Sequence, residues 1–200
     1  MSDRRIWQGT RARLHPSGSY IYGLSRDIYP NDIEKYDITN DTAVIMYNSP
    51  YHGDYDLGRE FWISENGERI YTATGNSFTC SSTDEYDLLY RGQFHDIDEI
   101  RWATQSDSRD LIAVIGFSPA YPERSDQVYL YRESSLAVSN IIQLPPQIKK
   151  NDDGSWRRVN LESHFVFFDP TGDSLRVVVN GTAPEGNVKW GILTLDLNAR

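Results

Sequence analysis

The chain contains one cysteine, Cys80, in 200 residues, which excludes an intrachain disulfide. Nothing near Cys80 is arranged to lower its pKa, so its expected role is a packed thiol. No segment keeps apolar residues at i, i+3, i+4 and i+7 for long enough to make an amphipathic helix, so almost no helix is expected. No apolar run approaches the roughly 18 residues of a membrane helix, and the N-terminal MSDRRIWQGT lacks the apolar core of a signal peptide. A soluble domain is expected, with its compartment left open; an exported protein would carry its signal outside this segment. A net charge of -9 and a pI near 4.9 leave no basic surface for a phosphate backbone, which excludes nucleic acid as a partner and disfavours anionic membranes. The Gly-x-Ser-x-Gly, His-Glu-x-x-His, Gly-x-Gly-x-x-Gly and phosphate-loop signatures are missing too. Asp54-x-Asp56, with Glu65 further on, fails as a calcium loop because Arg59 stands where the sharp turn needs glycine.

Aromatic residues are plentiful, with 13 Tyr, 5 Trp and 7 Phe. Val, Ile and Thr recur in short runs bounded by Gly, Pro, Asn, Asp and Ser, the pattern of strands and turns. Four units emerge when tight turns are aligned: His15-Pro16-Ser17-Gly18, Ser64-Glu65-Asn66-Gly67, Gln105-Ser106-Asp107-Ser108 and Asp169-Pro170-Thr171-Gly172. Each turn lies between apolar strands, and the unit length varies over about 40–65 residues, near the period of propeller blades. The units cover approximately 10–48, 58–94, 98–146 and 161–200.

The expected fold is all-β: a β-propeller of about four four-stranded antiparallel blades, either a small closed ring or part of a larger propeller. In the second unit the third strand is either Glu85 to Tyr90 or Ser77 to Ser81, the latter with Glu85 to Gln93 outermost. Pro145 to Asn160 reads as an exposed loop. The last unit lacks an obvious fourth strand, and a strand-compatible segment at 4–10 is a candidate to complete it.

The units HPSGSYIYGLSRDIYPNDIEKYDITNDTAVI and DPTGDSLRVVVNGTAPEGNVKWGILTLDLN resemble the YVTN-type repeat of bacterial surface-layer and lactonase-like propellers. Pro16, Gly18, Ile21, Tyr22, Tyr36, Asp37 and Thr39 match the pattern in the first, and Pro170, Gly172, Val177, Val178, Leu195, Asp196 and Asn198 in the last. The resemblance implies a fold, because its motifs are structural turns shared by propellers of unrelated activity.

In a propeller the connections between blades share a face with the loops joining second to third strands. Here those are the longer loops, so candidate binding residues are sought there. They are Arg26, Tyr29, Tyr51, His52, Asp54, Asp56, His95, Asp96, Asp98, Tyr121, Trp156, Glu162 and His164. Three histidines with acidic neighbours suggest a metal or acid/base cluster, set against local hydrogen bonding on a solvated surface. No catalytic or metal residue is assigned and no cofactor is predicted. His15 lies in an opposite-face turn and is expected to be structural. Tyr55 joins the loop aromatics as a stacking candidate, whereas Trp62, Trp102 and Trp190 are expected in the core. The leading expectation is a non-catalytic binding or scaffold domain for a protein or glycan. The alternatives are a lactonase-like or glycan-cleaving hydrolase using the same His, Asp and Glu residues, and an incomplete propeller that self-associates through its edges.

Overall fold

A computed structural model describes residues 6–26, 30–117, 126–151, 153–182 and 188–198. The chain divides into two compact units, Met1–Phe94 and His95–Arg200. The first holds two antiparallel four-stranded sheets in sequential order. One comprises β1 (Arg11–Leu14), β2 (Tyr20–Leu24), β3 (Ile33–Asp37) and β4 (Val44–Asn48); the other comprises β5 (Phe61–Ile63), β6 (Arg69–Thr72), β7 (Asn76–Thr79) and β8 (Tyr90–Gln93).

The second unit opens with a four-stranded sheet of β9 (Glu99–Ser106), β10 (Leu111–Phe117), β11 (Gln127–Arg132) and β12 (Val138–Gln143). A separate hairpin follows, β13 (Gln147–Lys150) with β14 (Trp156–Val159). Last comes a three-stranded sheet of β15 (Glu162–Phe168), β16 (Ser174–Thr182) and β17 (Val188–Asp196). Helix among the described residues amounts to two single 3-10 turns, Asp84–Tyr86 and Asp107–Arg109. No helix there is long and apolar enough to cross a membrane.

The aligned turns explain why these strands form hairpins. The N–H of Gly18 donates to the His15 carbonyl at 2.9 Å, Gly67 to Ser64 at 3.0 Å and Gly172 to Asp169 at 3.0 Å. In the third sheet the equivalent turn is Asp107–Asp110, two residues later than the aligned Gln105–Ser108, with Asp110 itself left-handed at φ 50°. Asp is among the residues that tolerate that conformation, so the turn needs no glycine to mark it. At Gly67 glycine is required twice over: φ is +75°, and a Cβ would lie 2.5 Å from His15 Nε2. His15 Nε2 hydrogen-bonds the Gly67 carbonyl at 2.8 Å, so this histidine ties two turns together.

Three expectations need correction, and one open alternative is decided. The third strand of the second sheet is β7, overlapping the Ser77 to Ser81 alternative, with β8 outermost; Glu85 to Tyr90 contains a 3-10 turn before β8. Pro145 to Asn160 is not a loop throughout, because its Asn151–Gly154 turn connects β13 and β14. Residues 6–10 form no strand: a turn closes from the Thr10 N–H to the Trp7 carbonyl at 3.1 Å. Trp62 is buried as expected, but Trp190 is 59 % exposed on an edge strand.

Each unit has its own core. Tyr22, Leu24, Ile33, Phe61, Ile70 and Phe78 anchor the first, and Ala113, Ile115, Val128, Val166, Leu175 and Val177 the second. Alternation along β2, β3, β10 and β16 aims these residues to one side, the period-2 pattern visible in the sequence.

Candidate functional site

In the first unit the β2–β3 loop meets the connection to the second sheet, residues 49–60. Asp32 organises the junction. Its Oδ1 accepts the Ile33 N–H at 3.0 Å and the Ser49 hydroxyl at 2.5 Å, while Oδ2 lies 3.2 Å from His52 Nδ1. Burial holds the Asp32 carboxyl above its ordinary range, outweighing the hydrogen bonds from Ser49 and Ile33 and the charge of His52, which pull it down. Ser, His and Asp are all present, yet both Ser49 and His52 are bound to the carboxylate. A nucleophilic relay needs the serine on the histidine, so this wiring suits a brace.

Aromatic packing stiffens the same segment. Tyr55 stacks on Tyr90 with ring centroids 4.2 Å apart, and Tyr51 meets Tyr55 edge-on at 5.0 Å. The Tyr51 hydroxyl accepts the Tyr90 N–H at 3.2 Å. Asp56 caps the loop by accepting the Gly58 N–H at 2.9 Å, and its carbonyl accepts Asn76 Nδ2 at 2.6 Å and the Thr74 hydroxyl. Asp54 and His52 are left pointing to solvent, His52 with 72 % of its side chain exposed. Arg26 is half-buried at the end of β2. Tyr29 and Tyr121 lie outside the described residues.

In the second unit His95, Asp96 and Asp98 are exposed in the turn leading to β9. The His95 carbonyl accepts the Tyr131 hydroxyl at 2.9 Å, and the Asp98 N–H donates to Phe117 at 2.8 Å, so this backbone is structural. Glu162 and His164 do come together: Glu162 Oε2 is 3.9 Å from His164 Nε2, and Oε1 is 3.7 Å from Arg101. His164 occupies a register shift in β15, and its ring lies 4.6 Å from Trp190. Trp156 stands exposed on β14 with the Lys150 ammonium 5.9 Å from its ring. Among the described residues no three His, Cys, Asp or Glu side chains converge as a metal site would require.

The most heavily bonded polar cluster was not singled out by sequence reasoning. Lys35 on β3 and Asp87 before β8 form an ion pair at 2.7 Å with both side chains 0 % exposed. Lys35 also donates to the Ser81 carbonyl at 2.5 Å and the Tyr47 hydroxyl oxygen at 3.2 Å, which accounts for all three ammonium protons. Asp87 accepts the hydroxyls of Tyr22 and Tyr47 at 2.9–3.0 Å and the N–H groups of Ser81 and Leu88 at 2.9 and 3.0 Å. Burial pushes the hydroxyl of Tyr22 and the thiol of Cys80 well above their ordinary values, so neither ionises at neutral pH. The cluster is closed and satisfied, and its chemistry is that of a lock between sheets.

The raised Asp32 pKa sets a sign for pH dependence. Above the unfolded value of about 3.9 the folded state retains a proton that the unfolded chain releases. This stabilising contribution is therefore full at low pH and lost as pH rises through the folded pKa. Asn at position 32 keeps an acceptor for Ile33 and Ser49 without the charge. The stability of Asp32→Asn relative to wild type, followed by urea denaturation, is expected to improve as pH rises across that window. A difference that does not vary with pH would show that Asp32 is not desolvated.

No protein-family model matches the sequence, and no curated protein matches it. Solved structures do match. A functionally unknown protein from Desulfotomaculum acetoxidans DSM 771 aligns with a TM-score of 0.53 at 12 % identity, over 92 % of this chain and 55 % of that one. The β-propeller domain of Cps50 (Swd1) from Myceliophteria thermophila aligns with 0.55 at 13 %, over 92 % and 52 %. U3-55K aligns with 0.52 at 11 %, over 93 % and 53 %. The fold is that of a β-propeller, and the chain spans about half the length of these structures.

Proposed function

We propose that this chain is a β-propeller interaction domain that uses the segment 49–60 to recognise a basic stretch of a protein partner. The observation that carries the reading is the bracing of that segment by Asp32 and by the Tyr51–Tyr55–Tyr90 packing, with Asp54 and His52 turned outward. A loop held this way loses little conformational freedom on binding, which favours recognition. The net charge of -9 favours a cationic partner and speeds its encounter. The turn pattern around Pro16–Gly18 and Pro170–Gly172 supports grouping the chain with YVTN-type propellers. A glycan is the second ligand class, favoured by the exposed Trp190 indole beside His164, with Glu162 and Arg101 next to it.

An array of basic, neutral and acidic peptides and of glycans, probed with the labelled protein, tests this. Binding to basic peptides is expected, weakening with salt and falling about tenfold or more in Asp54→Lys, as reversal of a charge facing its partner implies. Binding that Asp54→Lys leaves intact, or binding to glycans alone, would overturn the assignment to this segment.

A further inference from the structure

We propose that the outward face of the β13–β14 hairpin docks an extended acidic segment of a protein partner. This surface is separate from the segment 49–60 and opposite to it in charge. Lys149, Lys150, Arg157 and Arg158 fall within 147–159 against two carboxylates, Asp152 and Asp153, so the hairpin is locally cationic in a chain of net charge -9. Among the described residues the hairpin joins no larger sheet. Val159 anchors its base, with Cγ1 3.1 Å from where a Cβ on Gly181 of β16 would stand. A turn closes its tip, where the Asn151 N–H donates to the Ser155 carbonyl at 2.8 Å and the Gly154 N–H to the Asn151 carbonyl at 3.0 Å.

Register sorts the side chains of the hairpin. Ile148 pairs with Arg158 and Lys150 with Trp156, so these four share one face. All four are exposed, Ile148 at 62 % and Trp156 at 68 %, whereas Gln147, Lys149 and Arg157 on the other face are half-buried and Val159 is buried. Cations and apolar groups thus occupy opposite diagonals of a block of four. Among the described residues no carboxylate forms an ion pair with Lys150 or Arg158. Asp153 at the tip is engaged by Ser155 instead, accepting its N–H at 2.9 Å and its hydroxyl at 2.6 Å.

The diagonal sets the chemistry of the occupant. Lys150 and Arg158 are diagonal neighbours across the ladder, about 7–8 Å apart. That matches the roughly 7 Å between side chains two residues apart in an extended chain. An extended peptide with carboxylates at two such positions therefore meets both cations at once. Ile148 and Trp156 flank that line, so apolar residues beside the acidic pair cover them, and the water they exclude strengthens the ion pairs. Net charge argues for a short ligand. Fields between exposed charges fade over a Debye length of about 8 Å, so a peptide confined to the hairpin meets its cations alone. A nucleic-acid strand or an anionic bilayer extends beyond the hairpin and meets a chain whose remaining charge is more negative than -9.

Fluorescence anisotropy of a labelled peptide mixed with the full chain tests the proposal. The probe carries two glutamates separated by one serine and flanked by leucines, and its control has glutamines in their place. Binding of the acidic peptide is expected, weakening as salt rises. Lys150→Glu and Arg158→Glu, at exposed positions, are each expected to weaken it about tenfold or more with unchanged circular dichroism. Trp156→Ala is expected to weaken it about fivefold or more, and Asp54→Ala in the segment 49–60 to leave it unchanged. No binding of the acidic peptide, equal binding of the glutamine control, or binding indifferent to Lys150→Glu and Arg158→Glu overturns the proposal. So does hairpin-dependent binding of phosphatidylserine vesicles or of a single-stranded oligonucleotide by a chain that ignores the peptide.

Discussion

Asp87→Ala is expected to lower the unfolding free energy by about 3–5 kcal/mol, the cost of stranding a buried charge. Its partner Lys35 would keep only the Ser81 carbonyl and the Tyr47 oxygen, with no anion to balance it. Lys35→Met should cost less. The Asp87 carboxylate would still accept two tyrosine hydroxyls and two backbone N–H groups, so its oxygens are not left without donors. Chemical denaturation of the two variants gives the order directly. A loss below about 1 kcal/mol for Asp87→Ala, the scale of a solvent-exposed pair, would refute a sealed network.

Gly116→Ala is the second substitution with a large expected effect. Gly116 sits where the pairing of β10 with β9 shifts register, and a Cβ there would lie 2.2 Å from the Glu99 carbonyl oxygen and 2.7 Å from Ile97 Cδ1. The nearest atom is backbone, so relief requires moving β9 rather than rotating a side chain. A cost of about 3 kcal/mol is expected, at the upper end for overpacking, with the melting temperature falling by about 6–12 °C in a chain of this size. Calorimetry showing a fall of less than about 2 °C would mean that the two strands separate easily at this point.

Much of the architecture is readable from local chemistry. β2 follows from the His15–Gly18 turn and the apolar run behind it, and β16 from Asp169–Gly172 in the same way. Local chemistry also explains the failures. Asp110 takes a left-handed conformation that glycine takes elsewhere, which displaced the third turn by two residues. In β13 and β14 the exposed residues include Ile148 and Trp156, so the hairpin lacks the usual polar outer face and its paired prolines dominate the reading.

The candidate site was less legible, because its organisers are charged residues whose roles depend on distant partners. Lys35 follows Ile33 by two and therefore shares its inward face, a signal that was present. Its partner lies 52 residues away, on a segment whose strand assignment was ambiguous. Trp190 looked like a core residue because it lies in a strand, but strand membership does not reveal which side is covered. The register of Glu162 and His164 with Arg101 depends on neighbouring sheets, and no local pattern encodes that.

The buried lysine makes the first unit its own chemical clock. Residues 1–94 contain one lysine, Lys35, and one cysteine, Cys80, both buried in one region of the fold. Amine- and thiol-directed reagents therefore have no side-chain target of either kind on this unit until it opens. Because covalent capture can proceed only from the opened state, pulse labelling of the two groups reads the frequency of that opening through independent chemistries. Equal rates would mark one cooperative opening, whereas faster capture of Cys80 would reveal a partial one that spares the ion pair.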